Sequence, residues 1–365
     1  MSCDFVSLAN PGVQALRPYQ PGKPIEELQR ELGIEHIVKL ASNENPLGPG
    51  ARAQQAICNH LAELARYPDG AGFALKQALA EKLSVRPSQI TLGNGSNDVL
   101  NLIGLAFLNP SASAVFSRHA FVVYPIMTQY LGARAIEVPA RDWGHDLAAM
   151  QAAIADDTRV IFIANPNNPT GTWLGHQALR RFLQQVPEHI VVVLDEAYAE
   201  YIHDVDYADG LALQREFANL VVTRTFSKAY GLAGLRAGYA LASEQITDIL
   251  NRVREPFNVN SLAQVAAVAA LADDDHLQHS IRLNDDGRRQ LEQGLAGFGL
   301  SFIPSQGNFI CFDTGTDATA VYQKLLQQGV IVRPVVPYGM PHHLRVSIGL
   351  AAENDRFLDA MKAVL

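Results

Sequence analysis

The sequence predicts an α/β protein, with a large domain of mostly parallel sheet flanked by helices and a smaller α+β domain after it. Three observations carry this prediction. Between residues 90 and 223, short apolar runs alternate with amphipathic stretches, the pattern of strands joined by helices that cover both faces of a sheet. After about residue 240 the helical patterns lengthen, and short strands appear among them. Before residue 36, Pro11-Gly12, Pro18, Pro21-Gly22 and Pro24 interrupt regular structure repeatedly, which reads as an arm rather than a folded unit. The expected division is an arm with part of the small domain at 1–45, a large domain at 46–260 and a small domain at 261–365.

Taken in order, residues 36–40 suit a short strand that runs into the polar, turn-rich ASNENPLG segment at 41–48. Helical spacing covers 51–65, and Arg66-Tyr67-Pro68-Asp69-Gly70 breaks it before a second helix at 73–83. Strands are expected at 90–92, 114–116, 135–138, 160–164, 190–194 and 220–223. Helices are expected between them, around 99–107, 124–131, 147–154 and 176–185. Long helices follow at 246–253, 262–271 and 277–295. Short strands are expected at 301–303, 308–312, 330–332 and 344–348, with helices at 318–328 and 354–364.

A chain of 365 residues suffices for about two domains of ordinary size. The net charge of −8 argues against a broad nucleic-acid footprint. Cys3, Cys58 and Cys311 show no paired or metal-like spacing, which suits a reducing compartment. No basic residue precedes Arg17 and no apolar run reaches membrane length, so the cytoplasm is expected. His342-His343 and the His276/His279 pair do not form a metal set with nearby Cys or carboxylates, and no metal is expected.

Four stretches at the ends of expected strands carry unusual polar sets. Gly93-Asn94-Gly95-Ser96-Asn97 leads directly into a helix, where free N–H groups and close backbone approach suit an anion. A turn with no ligand is the plainer reading. In Asn165-Pro166-Asn167-Asn168-Pro169, two X-Pro steps restrict the backbone at Asn168. Asp195 ends the apolar run 191–194, where a carboxylate is costly unless it meets a cation or a protonated heterocycle; a helix cap is the competing reading. Tyr198 follows three residues on. Lys228 lies in a small-residue loop after the last of these strands, eight residues before Arg236. Apolar surroundings and a second cation both favour a neutral, nucleophilic amine there, against the ordinary alternative of a surface lysine.

The order GNGSN, NPNNPTG, DEAY, TFSKAYGLAGLRAG resembles fold-type I aminotransferases, which depend on pyridoxal 5′-phosphate, and the likeness spans most of the chain. The resemblance implies Lys228 as the cofactor-attaching lysine and proton carrier, and Asp195 as the partner of the pyridine nitrogen. It implies Asn168 and Tyr198 at the ring oxygen and Phe121 stacked on the ring. Ser96, Asn97, Thr225, Ser227 and Arg236 would hold the cofactor, mostly at its phosphate. Tyr67 would reach the phosphate of a neighbouring subunit, which implies a homodimer with shared active sites.

LRPYQPGKP, LASNENPLGP, RYPD and VRP…LRVSIG further resemble the histidinol-phosphate aminotransferase family. That likeness implies L-histidinol phosphate and 2-oxoglutarate as substrates, with Tyr19, Asn43, Arg333 and Arg345 at the substrate. Arg345 is a charge within a strand, so burial with an anionic partner is expected, and a carboxylate or phosphate would satisfy it. Asn308 is a further residue expected to face the ligand. Threonine-phosphate decarboxylation and broad aromatic transamination are the alternative activities on the same fold. A cofactor-binding regulator is disfavoured, because no helix-turn-helix extension fits within the chain.

Overall fold

The computed structural model describes residues 3–18 and 21–365. Strand β1 (Val38–Lys39) stands apart from the main sheet. That sheet comprises β2 (Ile90–Gly93), β3 (Ser113–Ser117), β4 (Arg134–Val138), β5 (Thr158–Ala164), β6 (Val191–Asp195), β7 (Leu220–Thr225) and β8 (Gly238–Leu241). Its spatial order is β2-β8-β7-β6-β5-β3-β4, parallel except that β8 runs antiparallel to both of its neighbours. The α/β class expected from the alternating pattern is therefore present.

The central strands are apolar at nearly every position because both faces are covered. Ile161, Ile163, Val192, Leu194, Leu220 and Val222 belong to one core layer. Their alternating neighbours Val160, Phe162, Val191, Val193 and Val221 belong to the other. Side chains alternate across a strand, so a continuous apolar run feeds two cores at once. Each fully buried aliphatic contributes about 1.5–3 kcal/mol relative to exposure, which fixes the strand ends on which the polar loops sit.

A four-stranded antiparallel sheet carries the C-terminal part. It contains β9 (Phe302–Ile303), β10 (Phe309–Asp313), β12 (Arg333–Pro334) and β13 (His343–Ser347), in the order β12-β13-β10-β9. Between them, β11 (Val330–Ile331) pairs in parallel with β1, tying the start of the chain to this end. A separate core of Leu291, Leu295, Ile310, Phe312, Val346 and Phe357 lies beneath it. The helix Ser261–Leu271 packs on the helices Ala51–His60 and Phe73–Leu83, and its buried alanines join the core of the large sheet.

Several details depart from the sequence reading, among them the helix Gly210–Glu216, which is not among the expected helices. The arm is partly helical, because Ile25–Leu32 buries Leu28, carries Glu26 and Glu27 in its first turn and ends on Gly33 at φ 68°. Strand β8, beginning just before residue 240, is not among the expected strands; its four residues follow the lysine loop with only the single 3-10 turn Ala233–Leu235 between, and no α-helix sets them off. The helix expected over 277–295 is longer, running Asp274–Gly297 with Asp273 accepting from the His276 N–H as its cap. Among the described residues no helix is long and apolar enough to cross a membrane, and no three His, Cys, Asp or Glu side chains gather as a metal set.

Candidate active site

The loops after β2, β5, β6 and β7 converge on a cavity of about 440 Å³, closed on its far side by β12 and β13. Every site residue expected from the sequence lines it except Tyr67, Tyr19 and Asn308. Tyr67 is 83% exposed and stacks on Phe257, with ring centroids 4.8 Å apart. Tyr19 lies outside the described residues. Asn308, contrary to expectation, is buried beside the cavity and donates to the Asn43 carbonyl at 2.9 Å.

Lys228 is held by its neighbours. Phe226, Ala229 and Leu232 are buried in the core, and Phe226 N–H donates to the Ala237 carbonyl at 3.0 Å, so the loop is anchored on both sides. Its Nζ donates to the Ser42 carbonyl at 3.0 Å and lies 5.8 Å from the centre of the Tyr198 ring. Burial, with the Arg345 guanidinium next in weight, brings the amine down to about 7. A large share of it is therefore neutral near neutrality, as nucleophilic work demands.

Asp195 ends β6 with its carboxylate buried. Tyr124 Oη donates to Oδ2 and Thr223 Oγ1 to Oδ1, each at 2.9 Å. Burial pushes the carboxyl up, while these two bonds pull it back. Neither Tyr124 nor Thr223 stands out in the sequence. Thr223 sits opposite Asp195 in the β6–β7 register, and Tyr124 is three residues past Phe121 on the helix Val123–Tyr130. Phe121 meets Tyr124 edge-on, at 5.9 Å and 87°.

The anion cradle forms where β2 enters the helix Ser96–Phe107. Gly95, at φ 84°, caps that helix, and a Cβ there would lie 2.6 Å from Arg236 Nη2. A side chain at position 95 would crowd the guanidinium, which lies against the bare backbone there. Arg236 Nη1 also donates to Ser227 Oγ at 3.3 Å, and Thr225 Oγ1 accepts from Ser227 N–H at 3.1 Å.

Arg345 lies on β13, buried, over the Phe309 ring at 5.4 Å. It donates to Asn168 Oδ1 and, at 2.7 Å, to the Ala41 carbonyl, and its Nε has no hydrogen-bond partner among the described residues. Among the described residues no carboxylate forms an ion pair with Arg345, so an anionic partner for it would have to come from a ligand. Asn43, at φ 54°, donates from Nδ2 to Tyr198 Oη at 3.0 Å and accepts from Ser347 Oγ at 3.1 Å. Burial raises the Tyr198 phenol to about 12, against the opposing pull of Arg345 and Asn43. Both X-Pro bonds flanking Asn167-Asn168 are cis.

One cavity thus joins the Lys228 amine, lowered toward neutrality, the buried Asp195 carboxylate, the glycine-capped helix end beside Arg236 and the Arg345 guanidinium. The chain belongs to the aminotransferase class I and II family, which matches residues 35–361. It is 62% identical to histidinol-phosphate aminotransferase 2 of Pseudomonas fluorescens strain Pf0-1, over all of this chain and 99% of that relative. It is 63% identical to the protein of the same name from Pseudomonas aeruginosa, over 99% of each chain. A crystal structure of histidinol-phosphate aminotransferase from Sinorhizobium meliloti, in complex with pyridoxal 5′-phosphate, superposes with a TM-score of 0.90 at 31% identity, covering 97% of this chain and 96% of that one.

Proposed function

We propose that this chain binds pyridoxal 5′-phosphate and transfers the amino group of L-histidinol phosphate to 2-oxoglutarate, giving imidazole-acetol phosphate and L-glutamate in histidine biosynthesis. The observation that carries this reading is the cavity that joins Lys228, Asp195 and the Gly95–Arg236 cradle to Arg345, a buried arginine with no carboxylate of its own. The relatives described above bear the same activity in their names, and none is named as a decarboxylase.

When bound, the cofactor supplies an electron sink that acidifies the substrate Cα–H. Lys228 Nζ would attach it and then take up the proton from the substrate Cα, which a half-neutral amine can do at physiological pH. Asp195, oriented by Tyr124 and Thr223, would hold a proton on the pyridine nitrogen. Ser96, Asn97, Thr225, Ser227 and Arg236 would hold the phosphate, Phe121 one ring face, and Asn168 with Tyr198 the ring oxygen. Arg345, with Arg333 and Asn43, would bind the substrate phosphate in one half-reaction and a glutamate carboxylate in the other. Such bonds are strong because both partners are charged.

The exposed Tyr67–Phe257 pair supports a homodimer in which each Tyr67 completes the partner's phosphate site. Tyr19 of the arm belongs to the same substrate reading. An arm at 1–45, a large domain and a small domain, with the helix Ser261–Leu271 on the large-domain side because its alanines join that core, and a cytoplasmic location are part of this proposal.

The test is a half-reaction. Adding L-histidinol phosphate to pure holoenzyme bleaches the cofactor's visible absorbance, and 2-oxoglutarate restores it. Carbon dioxide released from phosphothreonine without such bleaching overturns the reading.

A further inference from the structure

Directly after Asp195 stands a second buried carboxylate that the chemistry above leaves unused. The Glu196 side chain is fully buried and outside the cavity lining. Its Oε2 accepts from Arg224 Nε at 2.9 Å and Nη2 at 2.7 Å. Its Oε1 accepts from Gly210 N–H at 2.9 Å and lies 3.4 Å from Tyr207 Oη. Tyr207 Oη in turn donates to the Asn165 carbonyl at 2.7 Å. A Cβ at Gly210 would stand 2.5 Å from Glu196 Oε1, so the backbone there closes tightly around the carboxylate.

These contacts join the three segments that carry the chemistry. Asn165 begins the loop that presents Asn168. Glu196 continues the segment bearing Asp195 and Tyr198, and its own N–H donates to the Thr223 carbonyl at 2.9 Å. Arg224 lies on β7, four residues before Lys228. A buried ion pair is a weak source of net stability, because desolvation offsets most of its attraction. Its directional bonds are another matter: they fix the relative placement of the groups they join. A second carboxyl, Glu200, is pushed to about 7 by burial and keeps Oε2 unpartnered near the same guanidinium.

We propose that Glu196 and Arg224 are positioning residues for amine transfer, an ion pair outside the cavity that sets Asn168, Asp195 and Lys228 at their working separation. The inference rests on the function proposed above. Slackness of an ångström between reacting groups costs about a hundredfold in rate, so a hub that touches no substrate can still govern turnover.

The experiment uses holoenzyme and the variants Glu196→Gln and Arg224→Lys. Two readouts are taken: steady-state turnover of histidinol phosphate with 2-oxoglutarate, and the pH midpoint of the bound cofactor's visible absorbance without substrate. Expected for Glu196→Gln is a fall in kcat of about a hundredfold with KM nearly unchanged, together with a displaced absorbance midpoint. Arg224→Lys keeps the charge but loses the fork, and falls between that variant and wild type. It also keeps the test decisive if Glu196→Gln does not fold. Variants that lower only the melting temperature, with kcat and the midpoint unmoved, overturn the inference. A wild-type protein that takes up no cofactor, or is not bleached by histidinol phosphate, overturns the functional reading instead.

Discussion

Tyr124 Oη donates to Asp195 Oδ2 at 2.9 Å across 71 residues of chain, and the same phenol ring stacks on Phe162 at 4.8 Å. The stack holds the ring, and the hydroxyl holds the carboxylate toward the cavity. Tyr124→Phe keeps the first and removes the second. A hydrogen bond to a charged group contributes about 1.5–3 kcal/mol. Asp195 Oδ2 then loses a donor in the apoprotein as well, so the expected result is a loss of folding stability of about that size together with weaker cofactor binding, checked by thermal melting and by titrating apoprotein with pyridoxal 5′-phosphate.

The lowered Lys228 amine makes a prediction about pH. In the folded chain it titrates at about 7 and in the unfolded chain near 10.5, so the unfolded state binds more protons between those values. Stability attributable to this group therefore rises with pH across that window, and Lys228→Met stabilises the apoprotein most at or below pH 7. The same shift sets reactivity. Borohydride trapping of pyridoxal 5′-phosphate on Lys228 should show a midpoint near 7, and a midpoint near the ordinary lysine value would refute a neutral amine. Lys228→Ala should abolish turnover.

Glycine at position 95 is favoured by a backbone at φ 84°, and a Cβ there would meet Arg236 Nη2 at 2.6 Å and push it aside. Gly95→Ala is expected to cost about 1–3 kcal/mol of stability from the backbone alone. It also displaces the guanidinium from the helix end. Affinity for pyridoxal 5′-phosphate should fall much more than affinity for pyridoxal, which lacks the phosphate. Equal losses for the two ligands, measured by absorbance titration, would place the phosphate elsewhere.

Arg345 carries a clean test of the shared anion site. Truncating one member of a buried charge pair costs about 2–5 kcal/mol, roughly thirty- to several-thousandfold in rate constant. Arg345→Ala should slow both half-reactions by such factors, since each substrate presents an anion there. A glutamate half-reaction that proceeds at the wild-type rate would show that the two anions bind at different places.

Much of this was legible in the chain because the signals are local. The apolar runs at β5, β6 and β7 are short and end in Asn165, Asp195 and the Lys228 loop, so strand ends and chemistry were visible together. Contacts between distant segments left no such mark. Tyr124 reads as one more helix residue until the sheet brings it to Asp195, and Thr223 as one more strand residue until β6 and β7 pair. Glu196 was visible in DEAY only as the neighbour of Asp195, because its partners Arg224, Tyr207 and Gly210 come from other segments. In the arm, proline and glycine pointed to breaks and hid the amphipathic turns around Leu28.

Tyr67 stands 83% exposed on a stacked Phe257 that is itself 44% exposed, outside the cavity its own chain forms. If each Tyr67 serves the partner's site, a Tyr67 lesion on one chain and a Lys228 lesion on the other fall in the same site of a mixed dimer. Tyr67→Ala and Lys228→Ala proteins, each nearly inactive, are unfolded together in equal amounts and refolded. About half of the dimers formed are mixed, and in each of these one site carries both lesions while the other carries neither. About a quarter of wild-type activity should therefore return. Recovery no greater than the sum of the separate variants would mean that Tyr67 acts within its own chain.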